Sequence, residues 1–438
     1  MMSSFDGYYL GRPRLSFHPA LSTRAASDAF SGLSKWGPFD NSQFDLHDGA
    51  LLFLAPTAFK EPARDLWRYV MGGHGRFKGF EKTFRKPVPM SAVSNYFFDA
   101  DLTDPAQAAT DYREAIQRWA QQHTGEPPSL AFVVVPKSDH WEVERPYYEA
   151  KAAFASMNIA SQMVTTELLD DTNRLDWAAG TIALAAFAKL GGVPWAVEAP
   201  DSDSDIVIGI GRRQIRTDEG REMTFGYAVT FASNGLYRQT WSMSPAANQD
   251  SYLRRLTEAV RAALTDGVDD LDNTPGRFVI HLAKRTGLQE IEAVEAAVRQ
   301  AGADLPLAFL RLDDSSPWDM AETSKDNYGP DPGTAVRLSN RAALLQVEGV
   351  TSRAGAPSGP LLIELDRRSS VSPDALDGLV DQVFRLAHAN WRSFTGRTKP
   401  ATLHYGEQLA RLVGYMSKMN TWNPHHLPPD LKRRPWFL

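Results

Sequence analysis

The hydrophobic positions in the first half of the chain fall into short apolar runs separated by amphipathic stretches. The runs Leu51–Pro56 and Leu130–Pro136 predict buried strands, and Ser161–Leu168 predicts a third. The amphipathic stretches predict three helices, at Pro105–His123, Pro146–Met157 and Trp177–Leu190. Strands that alternate with helices of this length indicate an α/β unit, a parallel sheet with helices on its faces.

The second half has a different order of predicted elements, because it begins with three strands joined by short turns. These are predicted at Ile206–Ile210, Glu222–Ala232 and Tyr237–Met243, as an antiparallel meander. Alternating helices and strands follow, predicted at Asp250–Leu264, Arg277–Ala283, Leu288–Gln300, Leu307–Leu312, Ala342–Glu348, Leu361–Leu365, Pro373–His388 and Gly406–Met416. Three antiparallel strands followed by alternating helices and strands is the order of the ribonuclease H fold.

Composition and the order of the predicted elements divide the chain into three parts. Residues 1–40 are rich in serine, proline and glycine and are expected to wrap around a later domain. The Pro- and Asp-rich stretch Pro194–Asp205 separates the two orders of elements, so we expect one domain over residues 41–198 and a second over residues 199–438.

The composition is that of an ordinary globular protein. Of 438 residues, 43% are hydrophobic and 23% charged, and there is no cysteine, which excludes disulfides, a thiol nucleophile and cysteine-ligated metals. The net charge of −6 argues against a general polyanion binder but allows a local basic groove. Met1–Arg14 has no basic region followed by an apolar core, and the longest apolar stretch is shorter than the ~18–20 residues of a membrane span. We therefore expect a cytoplasmic protein without a membrane partner.

Four polar residues of the first domain form the most informative group. Tyr147 and Lys151 are four residues apart and share one face at the start of a predicted helix, where free N–H groups favour a phosphate. Gln162 adds an amide donor, Lys189 adds a second charge, and the ring of Tyr147 could stack on a terminal base. On this chemistry alone the alternative stays open and is the more common arrangement: two surface lysines and a half-buried tyrosine.

The motifs that contain these residues resemble the MID domain of Argonaute proteins. They are Tyr147-Tyr-Glu-Ala-Lys151, Ile159-Ala-Ser-Gln162 and Lys189-Leu-Gly-Gly192-Val-Pro-Trp195, in that order. The resemblance covers nearly the whole chain and implies a Rossmann-like MID domain over residues 41–198 and a ribonuclease H-like PIWI domain over residues 199–438. It also implies that Tyr147, Lys151, Gln162 and Lys189 bind the 5′ phosphate and base of a guide.

The predicted PIWI domain lacks the expected catalytic acids. A ribonuclease H-type nuclease needs several carboxylates that converge on two divalent ions. Gly211 falls where the resemblance places the first catalytic aspartate, Lys284-Arg285 fall near the second, and Glu407 falls near the last. We expect a domain with no catalytic residues and no cleavage activity. The alternative is a metal-dependent guided nuclease with a noncanonical carboxylate cluster that includes Asp205 and Glu407.

The length of the chain leaves no room for the amino-terminal and PAZ domains of long Argonautes, so the match is to short prokaryotic Argonautes. This resemblance implies a small guide, expected to be RNA, and a single-stranded DNA target. It further implies a heterodimer with an APAZ-domain protein whose NAD-consuming or nuclease effector acts in defence against plasmids and phages.

The carboxyl terminus, Lys432–Leu438, resembles that of family members whose terminal carboxylate ligates a divalent ion in the 5′ pocket. The resemblance therefore implies Mg²⁺ at the guide 5′ phosphate, with the carboxylate of Leu438 as a ligand. Ala185 stands where some relatives have a glutamine that helps to hold this ion, so this chain departs from the family pattern at that ligand.

Overall fold

The computed structural model of the protein describes residues 5–136, 145–200, 204–216, 222–243, 245–269, 276–283, 287–301, 305–349, 359–419, 422–423 and 427–438. Its strands are β1 Asp6–Tyr9, β2 Leu15–Ser16, β3 Ala25–Ala26, β4 Leu51–Pro56, β5 Val93–Phe98, β6 Leu130–Val135, β7 Ala160–Thr165, β8 Ala196–Val197, β9 Ile206–Arg216, β10 Glu222–Ala232, β11 Tyr237–Ser242, β12 Phe278–Ala283, β13 Leu307–Asp313, β14 Thr334–Ser339, β15 Ala342–Leu345 and β16 Leu361–Leu365. Its α-helices are α1 Ala29–Trp36, α2 Lys60–Trp67, α3 Phe80–Phe84, α4 Pro105–Gln122, α5 Arg145–Ser156, α6 Thr166–Leu169, α7 Thr172–Leu190, α8 Gln249–Asp269, α9 Leu288–Gln300, α10 Leu376–Ala387, α11 Ala401–Met416 and α12 Pro429–Lys432.

The first half contains a four-stranded parallel sheet in the order β5-β4-β6-β7. Leu51 and Phe53 pack into the core on one face of this sheet, and Leu52 and Leu54 pack into the core on the other. Because both faces are covered, β4 and β6 are apolar at every position and were predicted as continuous runs. The sheet is the parallel α/β unit that the sequence predicts.

The second half contains a nine-stranded mixed sheet in the order β1-β14-β15-β16-β13-β12-β9-β10-β11. Strands β9, β12 and β13 are parallel to one another, whereas β10 and β11 complete the predicted antiparallel meander. Helices α8 and α9 share a core with one face of β9, and α10 and α11 belong to the core on the opposite face. This arrangement is the predicted ribonuclease H-like fold.

The amino-terminal segment contacts both halves of the chain. Strand β1 forms the edge of the nine-stranded sheet through antiparallel pairing with β14, and β2 pairs with β3 and β8. Residues that are distant in sequence therefore hold this segment in place.

Several elements differ from the prediction. The strand predicted to reach Leu168 ends at Thr165 and continues as the short helix α6, while α7 begins five residues before Trp177, with Asp171 as its N-cap. Strand β9 extends to Arg216, and β1, β5 and β14 were not predicted. No helix in the described ranges has both the length and the apolar character needed to cross a membrane.

Candidate functional site

A cavity of about 500 Å³ opens between the parallel sheet of the first half and helix α11 of the second. It contains four of the five residues that the sequence singled out: Tyr147, Lys151, Gln162 and Leu438. Lys189 lies directly behind the cavity wall, where it contacts Gln162. The remaining lining residues are Tyr148, Met163, Thr165, Thr181, Ile182, Ala185, Arg392, Arg397, Gln408, Arg411, Leu412 and Phe437.

Lys151 on α5 and Lys189 on α7 point at the same acceptor. Their ammonium groups donate to the carbonyl oxygen of Ser161, at 2.7 Å from Lys151 and 3.0 Å from Lys189. Lys151 also donates to the carbonyl of Trp436 at 3.2 Å, and Lys189 donates to Oε1 of Gln162 at 2.7 Å. Both side chains are almost completely buried, so the surface-lysine alternative is wrong.

The lysine pair has no counter-ion within the described part of the chain, where neither ammonium lies within 4.0 Å of a carboxylate. Burial lowers the pKa of Lys151 to about 7, and the nearby charge of Arg392 contributes. Burial lowers the pKa of Lys189 well below its ordinary value, with further contributions from Lys151 and Arg392. Two desolvated cations that lack an acid are stabilised by an incoming anion, so the cavity favours a ligand with concentrated negative charge.

Gln162 and Tyr147 line the cavity next to the lysine pair. The carbonyl of the Gln162 side chain accepts from Lys189, and its amide donates to the carbonyl of Met163 at 3.0 Å. Because an amide has two donor hydrogens, Gln162 retains one for a ligand. Tyr147 is half-buried and packs edge-on against Tyr148, with ring centroids 5.1 Å apart.

Three arginines of the second half complete the cavity and were not found from the sequence. Arg392, Arg397 and Arg411 are exposed, and none forms an ion pair with a carboxylate that the structure describes. The positive field of this rim acts on His404, whose pKa falls to about 4 because of burial and, to a lesser extent, the charges of Arg392 and Arg397. The only signal in the sequence is the clustering of cations around the last long helix.

The cavity offers few ligands to a metal ion. Its described lining contains one carboxylate, that of Leu438, and the other side-chain oxygens are neutral amide or hydroxyl oxygens, those of Gln162, Gln408, Thr165, Thr181, Tyr147 and Tyr148. No group of three or more His, Asp or Glu residues in the described ranges could hold a metal. Mg²⁺ commonly binds through one or two carboxylates plus phosphate oxygens, so the donors present fit this ion only together with a bound phosphate.

At the position expected for the first catalytic aspartate, strand and helix backbones are in contact. A Cβ atom on Gly211 of β9 would collide with the carbonyl carbon of Gly406 and the amide nitrogen of Glu407, both on α11. Gly209, two residues earlier on the same face of β9, is packed in the same way against Thr402 and Leu403. Positions 209 and 211 of β9 therefore have no space for a carboxylate.

The two acids of the alternative nuclease hypothesis lie far apart. Asp205 immediately precedes β9, whereas the backbone of Glu407 packs against Gly211 within that strand. Gly211 is six residues after Asp205, which is roughly 20 Å along a strand at ~3.3 Å per residue. Asp205 accepts from Arg277 and Gln382, both at 2.7 Å, and Glu407 binds Lys399 at 2.9 Å. The structure does not bring these two carboxylates together.

Lys284 and Arg285, the cations expected near the second acid, lie outside the described residues.

A parallel α/β unit followed by a ribonuclease H-like sheet, with a cationic cavity between them, is the MID–PIWI architecture. Solved structures share this fold. The structure of Clostridium butyricum Argonaute bound to a guide DNA (5′ deoxycytidine) and a 19-mer target DNA matches 95% of this chain and 54% of its own, with a TM-score of 0.72 and 19% identity. The crystal structure of Drosophila Piwi matches 99% of this chain and 56% of its own, with a TM-score of 0.71 and 18% identity.

Curated sequences give the same result. A protein argonaute of Cereibacter sphaeroides is 26% identical over 455 residues, which cover 95% of this chain and 57% of that protein. A Piwi protein of Archaeoglobus fulgidus is 25% identical over 321 residues, which cover 68% of this chain and 73% of that protein. No family model matches the chain. The homologues of this chain are thus Argonaute and Piwi proteins, and the chain spans little more than half the length of the first of them.

Proposed function

We propose that this chain binds the 5′-phosphorylated end of a small guide nucleic acid in the cavity and presents the guide for pairing with a complementary strand. The observation that supports this most directly is the pair of buried ammonium groups, Lys151 and Lys189, that share one carbonyl and face no described carboxylate. A terminal phosphate carries more charge than an internal phosphodiester, and it supplies the missing counter-ion.

The rest of the cavity fits the same ligand. Gln162 offers an amide hydrogen, Tyr147 offers a ring for the terminal base, and the three rim arginines attract the backbone that follows. The protein reads the end and the backbone of the guide, and base pairing selects the target. By resemblance to short prokaryotic Argonautes, the guide is RNA and the target is single-stranded DNA.

The same proposal assigns no cleavage to this chain. Two observations support a PIWI domain that recognises its target without cutting it. The backbone of Gly211 is in close contact with α11, and Asp205 is far from Glu407. Recognition then needs a second protein to act on it. We propose an APAZ-domain effector as a heterodimeric partner in the defence of a prokaryotic cell against plasmids and phages.

The proposal includes Mg²⁺ only as an ion bound beside the 5′ phosphate of the guide. The carboxylate of Leu438 would hold the ion together with phosphate oxygens, and the ion would offset repulsion between this carboxylate and the ligand. Lys151, Gln162 and Lys189 would position the phosphate itself.

Guide-binding measurements test the proposal. A 5′-phosphorylated RNA should bind much more tightly than the same RNA with a 5′-hydroxyl. Lys151→Ala and Lys189→Ala should each weaken the phosphorylated form about tenfold or more and leave the hydroxyl form nearly unchanged, since a charge-assisted contact contributes roughly 1.5–3 kcal/mol. Lys82→Ala, on the exposed surface of α3, is the matched control. Equal affinity of the unmodified protein for both RNAs would refute the assignment of the cavity.

The guided-nuclease alternative is tested in parallel. Purified protein is incubated with guide, labelled complementary DNA and Mn²⁺, and no guide-dependent product is expected. Guide-dependent products that disappear in an Asp205→Ala chain shown by thermal melting to be folded would establish the alternative.

A further inference from the structure

Two buried tryptophans link the two halves of the chain through hydrogen bonds. The indole N–H of Trp195 donates to the carbonyl oxygen of His388 at 2.9 Å, and the indole N–H of Trp391 donates to the carbonyl oxygen of Trp195 at 3.1 Å. Trp195 and Trp391 are only 1% and 2% exposed, so water does not compete for these bonds. Trp195 ends the sequence motif that begins with Lys189. The tryptophan pair therefore ties that motif to the second half.

The tryptophan pair contacts a segment without regular secondary structure, residues 388–400, which joins α10 to α11. This segment carries Arg392 and Arg397, two of the three arginines of the cavity rim. Because its backbone lies outside helices and strands, its course depends on contacts with other parts of the chain. The positions of both arginines depend on the same contacts.

The segment is fixed directly before Arg392. The indole of Trp391 is bound to Trp195, and the backbone N–H of Trp391 donates to the hydroxyl of Tyr405, on α11, at 2.8 Å. The backbone N–H of Arg392 donates to Oδ1 of Asn390 at 3.0 Å, and Asn390 is itself completely buried. These bonds fix the backbone from which the side chain of Arg392 reaches the cavity.

A second contact lies directly before Arg397. Gly396 packs against the ring of His388, where a Cβ atom would come within 2.9 Å of Nε2 of the ring. The backbone N–H of Arg397 donates to the carbonyl oxygen of Ala387 at 3.3 Å. The segment thus folds back on His388, the residue whose carbonyl accepts from Trp195. Loss of the Trp195 bond would therefore loosen the position of Arg397 as well.

The turn between Lys189 and Trp195 has a fixed shape. Lys189 lies in the last turn of α7, and Gly191 ends that helix with a φ of +107°, a conformation that glycine adopts readily. Val193 then pairs with Asp40: its N–H donates to the Asp40 carbonyl at 2.8 Å, and its carbonyl accepts from the Asp40 N–H at 3.1 Å. The fold therefore sets the distance between the lysine pair and the tryptophan pair.

We propose that Trp195 and Trp391 are positioning residues, which hold Arg392 and Arg397 at a set distance from the lysine pair. The 5′ phosphate and the guide phosphates that follow it then meet charges that are already in place, and binding does not have to order the arginine segment. Neither tryptophan belongs to the described lining of the cavity, so both act through the arginines. This inference rests on the proposed function, because it concerns the same ligand.

Phenylalanine substitutions test the inference, because they remove the indole N–H and keep an aromatic ring. Trp195→Phe and Trp391→Phe should each weaken binding of a 5′-phosphorylated RNA about fivefold, an effect typical of changes that act through packed neighbours. The slope of log affinity against log salt concentration should become shallower by up to ~1.4, the share of two phosphate contacts on a single strand. Trp241→Phe is the matched control: it removes an indole hydrogen bond to Thr230 on β10 and should change neither quantity.

Double mutants show whether the tryptophans act through the arginines. In a chain that carries Arg392→Ala and Arg397→Ala, Trp195→Phe should cause no further loss of affinity. In a chain that carries Arg411→Ala, a change on α11 and outside the segment, the effect of Trp195→Phe should persist in full. Thermal melting confirms that each variant is folded, and Trp391→Phe takes the place of Trp195→Phe throughout if the latter does not fold.

The outcomes separate this inference from the proposed function. The preference for a 5′-phosphate over a 5′-hydroxyl should survive in Trp195→Phe, because the lysine pair is unchanged. If the unmodified chain shows no such preference, the proposed function fails and the inference fails with it. If the preference is present but Trp195→Phe binds with unchanged affinity and salt slope, or if its effect adds fully to that of the two arginine substitutions, the inference alone is wrong.

Discussion

Gly211 on β9 and Gly406 on α11 are in direct backbone contact, and a Cβ on Gly406 would come within 2.8 Å of the Gly211 amide nitrogen. The absence of both side chains allows helix and strand to pack at a distance that no other pair of residues permits. The contact lies at the position where the resemblance places the first catalytic acid, so the local packing and the proposed lack of cleavage have one physical cause.

We predict that Gly211→Ala destabilises the chain by about 3 kcal/mol, because the added methyl group meets backbone atoms that cannot rotate away. Gly211→Asp should destabilise it further and should not confer cleavage. Gly378→Ala is the control: Gly378 lies in α10 with no atom within 4 Å of its Cβ position, and alanine there should add ~0.5–1 kcal/mol of stability. Chemical denaturation measures the free energy of unfolding of all three variants. A Gly211→Ala chain as stable as the unmodified one would contradict the described contact.

Asp205 is predicted to be structural. It is buried and accepts hydrogen bonds from Arg277 and Gln382. Asp205→Ala leaves the Arg277 cation and the Gln382 amide without this acceptor, so it should reduce the free energy of unfolding by about 3 kcal/mol. Glu292→Ala, which removes an exposed partner of Arg368, should change it by less than about 1 kcal/mol. Equal, small effects of both substitutions would contradict the structural role.

The buried lysine pair predicts that the stability of the chain and its affinity for a guide depend on pH. Because the pKa of Lys151 is about 7 in the fold and 10.5 in a model compound, the unfolded chain binds this proton more tightly. Unfolding therefore takes up protons between these values, and the stability of the unliganded chain should rise from pH 7 to about 10. A bound phosphate favours the protonated form, so guide binding should take up protons and weaken over the same range.

Calorimetry in buffers of different ionisation enthalpy measures that uptake. Lys151→Gln should reduce it, and Arg392→Ala should shift the pH dependence of 5′-phosphate binding to higher pH, because it removes a cation that lowers the pKa of both lysines. Identical heats in all buffers near pH 8 would show that the lysines are already charged before the ligand binds.

Mg²⁺ should strengthen guide binding through the carboxylate of Leu438. Deletion of Leu438 moves that carboxylate and should remove the difference between affinities measured with Mg²⁺ and with a chelator. Leu438→Ala trims the side chain but keeps the carboxylate, so the Mg²⁺ effect should persist. If the deletion and the substitution have the same effect, side-chain packing rather than metal ligation accounts for it.

The buried elements were predictable from the sequence, while edges and long-range contacts were not. Strands β4 and β6 are apolar at every position because both faces are covered, and this pattern needs no partner to be recognised. The edge strand β5, Val-Ser-Asn-Tyr-Phe-Phe, has mixed burial and gives no periodic signal. Strand β1 exists only through its pairing with β14, more than 300 residues away in sequence. No local pattern carries that information.

The candidate site shows the same limit. Motifs identified Tyr147, Lys151, Gln162 and Lys189, and the structure gathers them around one cavity wall. The opposite wall comes from Arg392, Arg397 and Arg411, which fold back from the other half of the chain. The sequence also gave no indication that the two lysines are buried, since lysine is one of the residues least often found inside a protein.

The division of this cavity between the two halves of the chain has a consequence for assembly. Lys151 donates to Trp436, so the carboxyl-terminal segment closes one wall of a site that the first half begins. A ligand that contacts both walls binds the docked arrangement better than the separated one, and mass action then stabilises the docking. The guide would thereby become an internal structural element of the folded particle, and loading would determine how rigidly the two halves are joined.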